Sequence, residues 1–114
     1  MTRMMMVLLL AAGACAAEQK TLSGYLMDKA CSADALKKGE ATAKGHDVGC
    51  ALMDDCQASG YGVLAGGRFI LFDAAGNKRA VAALKATAKK SDLRVTVTGD
   101  VTGDNIKVAG LKLE

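Results

Sequence analysis

The residues best suited to chemistry are three cysteines and the chain's single histidine, in the order Cys31, His46, Cys50, Cys56. The spacing is C-x14-H-x3-C-x5-C. Thiolate sulfur and imidazole nitrogen are the donors a borderline-soft metal ion prefers. Three Cys and one His make a complete tetrahedral shell for Zn²⁺, with Cu⁺ the second choice because thiolates suit it. His46 and Cys50 are four apart, so on a helix they share one face. Cys56 lies six beyond Cys50, about 120° round a straight helix, and joins the set only if the chain bends near Asp54-Asp55. Cys31 must approach from the side. A finger-like Cys-x2-Cys is absent.

The competing chemistry is a disulfide. Closing a loop of this length stabilises a small exported domain by roughly 3 kcal/mol. Cys31 with Cys50 or Cys56 would staple the segment to the rest of the fold, and Cys50 with Cys56 would make a local loop. Each choice leaves one spare thiol, which then needs a role as a buried free Cys, a link to a partner chain or a ligand. Thiol redox chemistry ranks lower because no Cys-x-x-Cys is present, and haem attachment is disfavoured because Cys-x-x-Cys-His is absent. A Cys/His dyad of Cys50 and His46, oriented by Asp47, Asp54 or Asp55, is the remaining thiol reading. No phosphate loop or other nucleophile motif stands out elsewhere.

The compartment follows from the N-terminus. A basic start at Met1–Arg3 is followed by an apolar run over Met4–Ala12 and then by small residues through Ala17. This reads as a signal peptide over residues 1–16, and a single domain over 17–114 follows it. Ala14-Cys15-Ala16 fits a small-x-small cleavage site. Ala12-Gly13-Ala14-Cys15 is an imperfect lipobox, which would instead place a lipid on Cys15. The expectation is a periplasmic or secreted protein, with a lipid-anchored envelope protein as the alternative. Without Arg3 there are fourteen basic against twelve acidic side chains, a net charge of about +2. Such a balance does not point to nucleic acid or to an anionic membrane surface.

Local patterns supply the elements that must position the Cys/His set. Thr21–Met27 roughly alternates and is interrupted by Gly24, which marks a bend in a curled strand. Asp28–Gly60 is rich in Ala, Lys, Asp and Gly and reads as an insert (29–60). In it Ser32 caps a short helix ending at Gly39, and Asp47 caps a second, over Val48–Ala58. Tyr61–Leu64 and Arg68–Phe72 form a hairpin turning at Ala65-Gly66-Gly67. Asp73–Asn77 reads as a turn. Lys78–Lys90 is a helix with Val81, Leu84 and Ala88 on one stripe. Leu93–Val101 and Ile106–Leu113 alternate as half-buried strands around a turn at Gly103-Asp104-Asn105.

The expected fold is therefore mainly β: a small five-stranded OB-like barrel, one helix between strands 3 and 4, and a helical Cys/His insert after strand 1. Such barrels bind oligonucleotides or sugars through aromatics on strands 2 and 3. Here Tyr61, Phe69 and Phe72, beside Arg68, are better read as core.

Gly24-Tyr25-Leu26-Met27-Asp28-Lys29-Ala30-Cys31, His46, Cys50-Ala51-Leu52-Met53 and Cys56 with Ser59-Gly60-Tyr61-Gly62-Val63 carry a resemblance. With the later Phe72-Asp73, Gly76-Asn77-Lys78 and Val95–Gly99 segments, the chain resembles a set of small, largely uncharacterised exported bacterial proteins. These have a leader and an OB-like domain. The resemblance implies the fold and export, and it transfers no activity. The function expected is a non-catalytic binding module that holds a transition metal through Cys31, His46, Cys50 and Cys56. The alternatives are a disulfide-stapled domain with one spare thiol that binds an envelope partner, or a thiol redox protein. Neither nucleic acid nor, unless Cys15 is lipidated, a membrane is an expected partner.

Overall fold

The computed structural model describes residues 18–114. The expected leader, its cleavage site and Cys15 lie outside the described residues. The elements run β1 (Glu18–Asp28), α1 (Lys29–Lys38), α2 (Glu40–Gly45), α3 (Val48–Ala51), α4 (Asp54–Ser59), β2 (Tyr61–Ala65), β3 (Arg68–Phe72), α5 (Ala74–Ala86), β4 (Arg94–Thr102) and β5 (Asn105–Leu113). Helix and strand are nearly equal in extent, which is roughly consistent with the expected mainly β chain but with more helix than expected. The insert contributes four helices where two were expected.

The strands form one mixed sheet that closes in the order β1-β2-β3-β5-β4. Strand β1 is shared between two neighbours. It pairs with β4 from Glu18↔Val101 to Tyr25↔Arg94, and with β2 from Tyr25↔Leu64 to Asp28↔Tyr61. The hand-over falls at Tyr25, next to Gly24, where an added Cβ would sit 2.1 Å from the Leu64 carbonyl oxygen. Only a residue with no side chain allows the strand to curl this tightly there. The short parallel seam of β3 with β5, Leu71↔Asn105 and Phe72↔Ile106, completes the circle.

Alternating apolar residues fill the barrel: Leu26, Val63, Val95, Val97 and Ile106 are each almost inaccessible. Leu84 and Ala80 of α5 plug one end of this core. That helix begins at Ala74, four residues before its expected start, because the Asp73 carboxylate accepts the Gly76 N–H at 3.0 Å and caps it. Gly76 does not make a turn there. Its place is set by packing, since a Cβ would meet Val108 Cγ2 at 2.5 Å.

The insert leaves β1 at Asp28 and rejoins β2 at Tyr61, residues that are direct register partners. Its two ends are tied together, with the Lys29 N–H donating to the Gly60 carbonyl at 2.8 Å. Tyr25 and Met27, on the outer face of β1, are buried with Ala35, Ala43 and Leu64 in a second small apolar cluster under α1 and α2. Two further backbone bonds sew the insert to the segment before β4: Val48 N–H to the Lys90 carbonyl and Asp92 N–H to the Lys44 carbonyl, both 2.8 Å. Among the described residues, no helix is long and apolar enough to cross a membrane.

Candidate functional site

Asp28 is the centre of the arrangement. It is the last residue of β1 and the N-cap of α1, and it is fully buried. Its Oδ2 accepts the Cys31 N–H at 3.0 Å, satisfying an orphan donor of the first helical turn. Its Oδ1 lies 2.7 Å from His46 Nε2. An ionised carboxylate only accepts, so Nε2 carries the hydrogen. The His46 side chain is itself 8% exposed. Burial pushes the Asp28 carboxyl up, but the hydrogen bond and charge of His46 and the bond from Cys31 outweigh it. The net result is a pKa below the ordinary aspartate value.

Two thiols converge on the same carboxylate. One oxygen of Asp28 and the sulfurs of Cys31 and Cys56 all lie within 4.8 Å of one another. Cys31 is partly exposed and Cys56 is buried. Burial, then the negative charge of Asp28, then the neighbouring Cys56 push the Cys31 thiol up to about 12. Burial and the Asp28 charge raise Cys56 in the same way. With no ion present both sulfurs are therefore protonated at neutral pH, which makes them poor nucleophiles.

The bend expected near Asp54-Asp55 is present one step earlier. Helix α3 ends at Ala51, Leu52 and Met53 break the run, and α4 restarts at Asp54. Gln57 Nε2 bridges the break by donating to the Leu52 carbonyl at 2.6 Å. The expected single helix over 48–58 is thus two short ones. This break turns Cys56 toward Cys31 while Cys50 remains outside. Cys50 is exposed, its N–H donates to Asp47 Oδ1 at 2.6 Å, and the Asp47 charge raises its thiol pKa. Of the four residues expected as ligands, Cys31 and Cys56 come together. His46 reaches them through Asp28, and Cys50 does not belong to the group.

Asp28 is the member the spacing argument did not single out. A signal was present, because Asp28-x-x-Cys31 and Asp47-x-x-Cys50 repeat one pattern. In both, the carboxylate caps a helix by accepting the cysteine N–H. Ser32, the expected cap, lies inside α1, where its hydroxyl donates to the Lys29 carbonyl.

Tyr61 closes the inner side of the site. It is fully buried, and its hydroxyl donates to the Ala51 carbonyl at 2.5 Å, fixing α3 to the barrel. Burial, then the Asp28 charge, push its phenol up to about 12. Phe72 is also core, and Phe69 packs against the second apolar cluster. Arg68 pairs with Asp104 on the surface. The aromatics of β2 and β3 thus include no exposed stacking platform. A cleft of about 430 Å³ runs past Tyr25, Leu36, Glu40, Leu64 and Arg94, and Asp28, Cys31, His46 and Cys56 do not line it.

No protein-family model, characterised protein or solved structure matches the chain.

Proposed function

We propose that the chain is an exported, non-catalytic module that holds a transition metal, Zn²⁺ before Cu⁺, where a helical insert meets an OB-type barrel. The strand order, the parallel β3–β5 seam and the helix between β3 and β4 support the OB-type assignment. One observation carries the metal reading: two thiols and a carboxylate from three different elements converge within 4.8 Å. Two sulfurs each about 2.3 Å from one zinc ion lie about 3.8 Å apart at the tetrahedral angle. That separation fits inside the observed limit.

In this reading Cys31, Cys56 and Asp28 are the ligands. His46 is a positioning residue, donating from Nε2 to Asp28 as histidine–carboxylate pairs do around metal centres. A cation between the sulfurs would stabilise the buried negative charge of Asp28 and convert both thiols to thiolates. It would also tie β1, α1 and α4 together, so that binding and ordering of the insert are coupled. Cys50 has no role in the centre. Three protein ligands leave a fourth position for water or for a donor from a partner.

The test is zinc stoichiometry by native mass spectrometry of the reduced full chain, with affinity from competition against a chelator. One zinc per chain is expected, weakened at least a hundredfold by Cys31→Ser or Cys56→Ser and unchanged by Cys50→Ser. Absence of uptake, or equal dependence on Cys50, would overturn the assignment.

A further inference from the structure

Cys31 and Cys56 sit on separate helices, α1 and α4, and their sulfurs are neighbours within the same 4.8 Å cluster. Neither thiol is needed for the local caps: Asp28 caps α1 through the backbone N–H of Cys31, and Asp28 keeps His46 through its other oxygen. The carboxylate–imidazole pair therefore survives a change in the sulfurs.

We propose that a Cys31–Cys56 disulfide and the bound metal are mutually exclusive states of one site, so that oxidation releases the ion. This rests on the metal reading above and adds its regulation. The step is a thiol–disulfide exchange with a small-molecule disulfide. The partly exposed Cys31 reacts through its small thiolate fraction: having given its proton to solvent, it attacks one sulfur of the oxidant, breaking its S–S bond and expelling one small thiolate. Cys56 then attacks the mixed disulfide on Cys31 and expels the second. The protein loses two electrons and two thiol protons, and the oxidant gains both as two small thiols. A disulfide sulfur is no longer an anionic ligand, so two of the three donors are lost at once. Exposed Cys50 lies outside the cluster and takes no part in the final bond.

The experiment equilibrates the zinc-loaded full chain with oxidised glutathione, then maps disulfides by peptide mass and counts retained zinc. The expected product carries a Cys31–Cys56 link, has lost at least nine-tenths of its zinc, and regains it after dithiothreitol. Cys50→Ser should behave identically, and excess zinc should slow the oxidation. A link through Cys50, zinc retained on a chain linked between Cys31 and Cys56, or thiols that stay reduced would overturn the switch while leaving the metal site standing. A reduced chain that binds no zinc yet forms the Cys31–Cys56 link would overturn the metal reading and the switch together.

Discussion

The barrel and the insert are stabilised in opposite ways. In the barrel, order comes from many equivalent contributions: five strands paired around a closed circuit, and a core of Leu26, Val63, Val95, Val97 and Ile106. In the insert, helices of ten, six, four and six residues are each too short to persist alone. They bury little beyond Ala35, Ala43, Ala51 and Cys56. Their positions depend on a few individual bonds: His46 to Asp28, the Tyr61 hydroxyl to Ala51, and the ties from Val48 to Lys90 and from Asp92 to Lys44. Redundant packing tolerates no large void but does not hinge on any one polar atom. A frame built on single bonds can be switched by one proton, one ion or one oxidation.

The sharpest way to break this contrast is to wound the barrel. Leu26→Ala should cost about 3 kcal/mol, from lost transfer energy and the cavity left behind. Barrel and insert should then unfold in one guanidinium transition, since the insert has no support of its own. Two separated transitions would show that the insert is an independent unit.

Zinc affinity should expose the insert's sensitivity to protons. The Cys31 and Cys56 thiols have raised pKa values, so they remain protonated well above neutral pH and must each lose a proton on binding. Between pH 6 and pH 8 the apparent affinity should climb roughly a hundredfold per pH unit, two protons per ion. Competition titrations across that range read it directly, and a flat profile would exclude two thiolate ligands.

Asp28→Ala leaves His46 and the Cys31 N–H without their buried partner and should cost about 2 kcal/mol. Hydrogen exchange should place the loss in the insert: amides of α1 to α4 exchange faster while those of β4 and β5 keep their protection. Uniform loss over both regions would erase the distinction drawn here.

The smallest effect is an acid one. The folded Asp28 carboxyl titrates below its unfolded value of about 3.9, so its stabilisation is complete above that value and fades as pH falls through the lower folded pKa. The stability gap between the wild type and Asp28→Asn should shrink as pH falls below about 4. Urea titrations at each pH would show it, and a gap that widens below that pH would reverse the assigned sign.

The same two regions differed in how far they could be read in advance. Strands β4 and β5 announce themselves by alternation, and the β2–β3 hairpin by Ala65-Gly66-Gly67, because a half-buried strand must alternate and a tight turn needs glycine. The insert has weak periodicity, since Ala, Lys and Gly bury too little to mark a face. Helix α2 was therefore missed. The break at Leu52-Met53 depends on long-range partners, the Tyr61 hydroxyl among them, that no local pattern encodes. Cys31 and Cys56 could be nominated from type alone. Cys50 could not be excluded that way, because its exclusion follows from which way α4 turns after the break. Asp28 carried an Asp-x-x-Cys signature, but its burial came from tertiary packing.

The bond between Lys29 and Gly60 has a consequence for how this architecture can change. Because the insert begins and ends at paired residues of adjacent strands, the strand pairing meets it as a hairpin loop. Lengthening such a loop adds closure entropy only logarithmically. The segment's length is therefore free to vary, while its contents are fitted to this barrel through the Tyr61–Ala51 bond and the ties from Val48 to Lys90 and from Asp92 to Lys44. The hinge points are generic and the upholstery is bespoke.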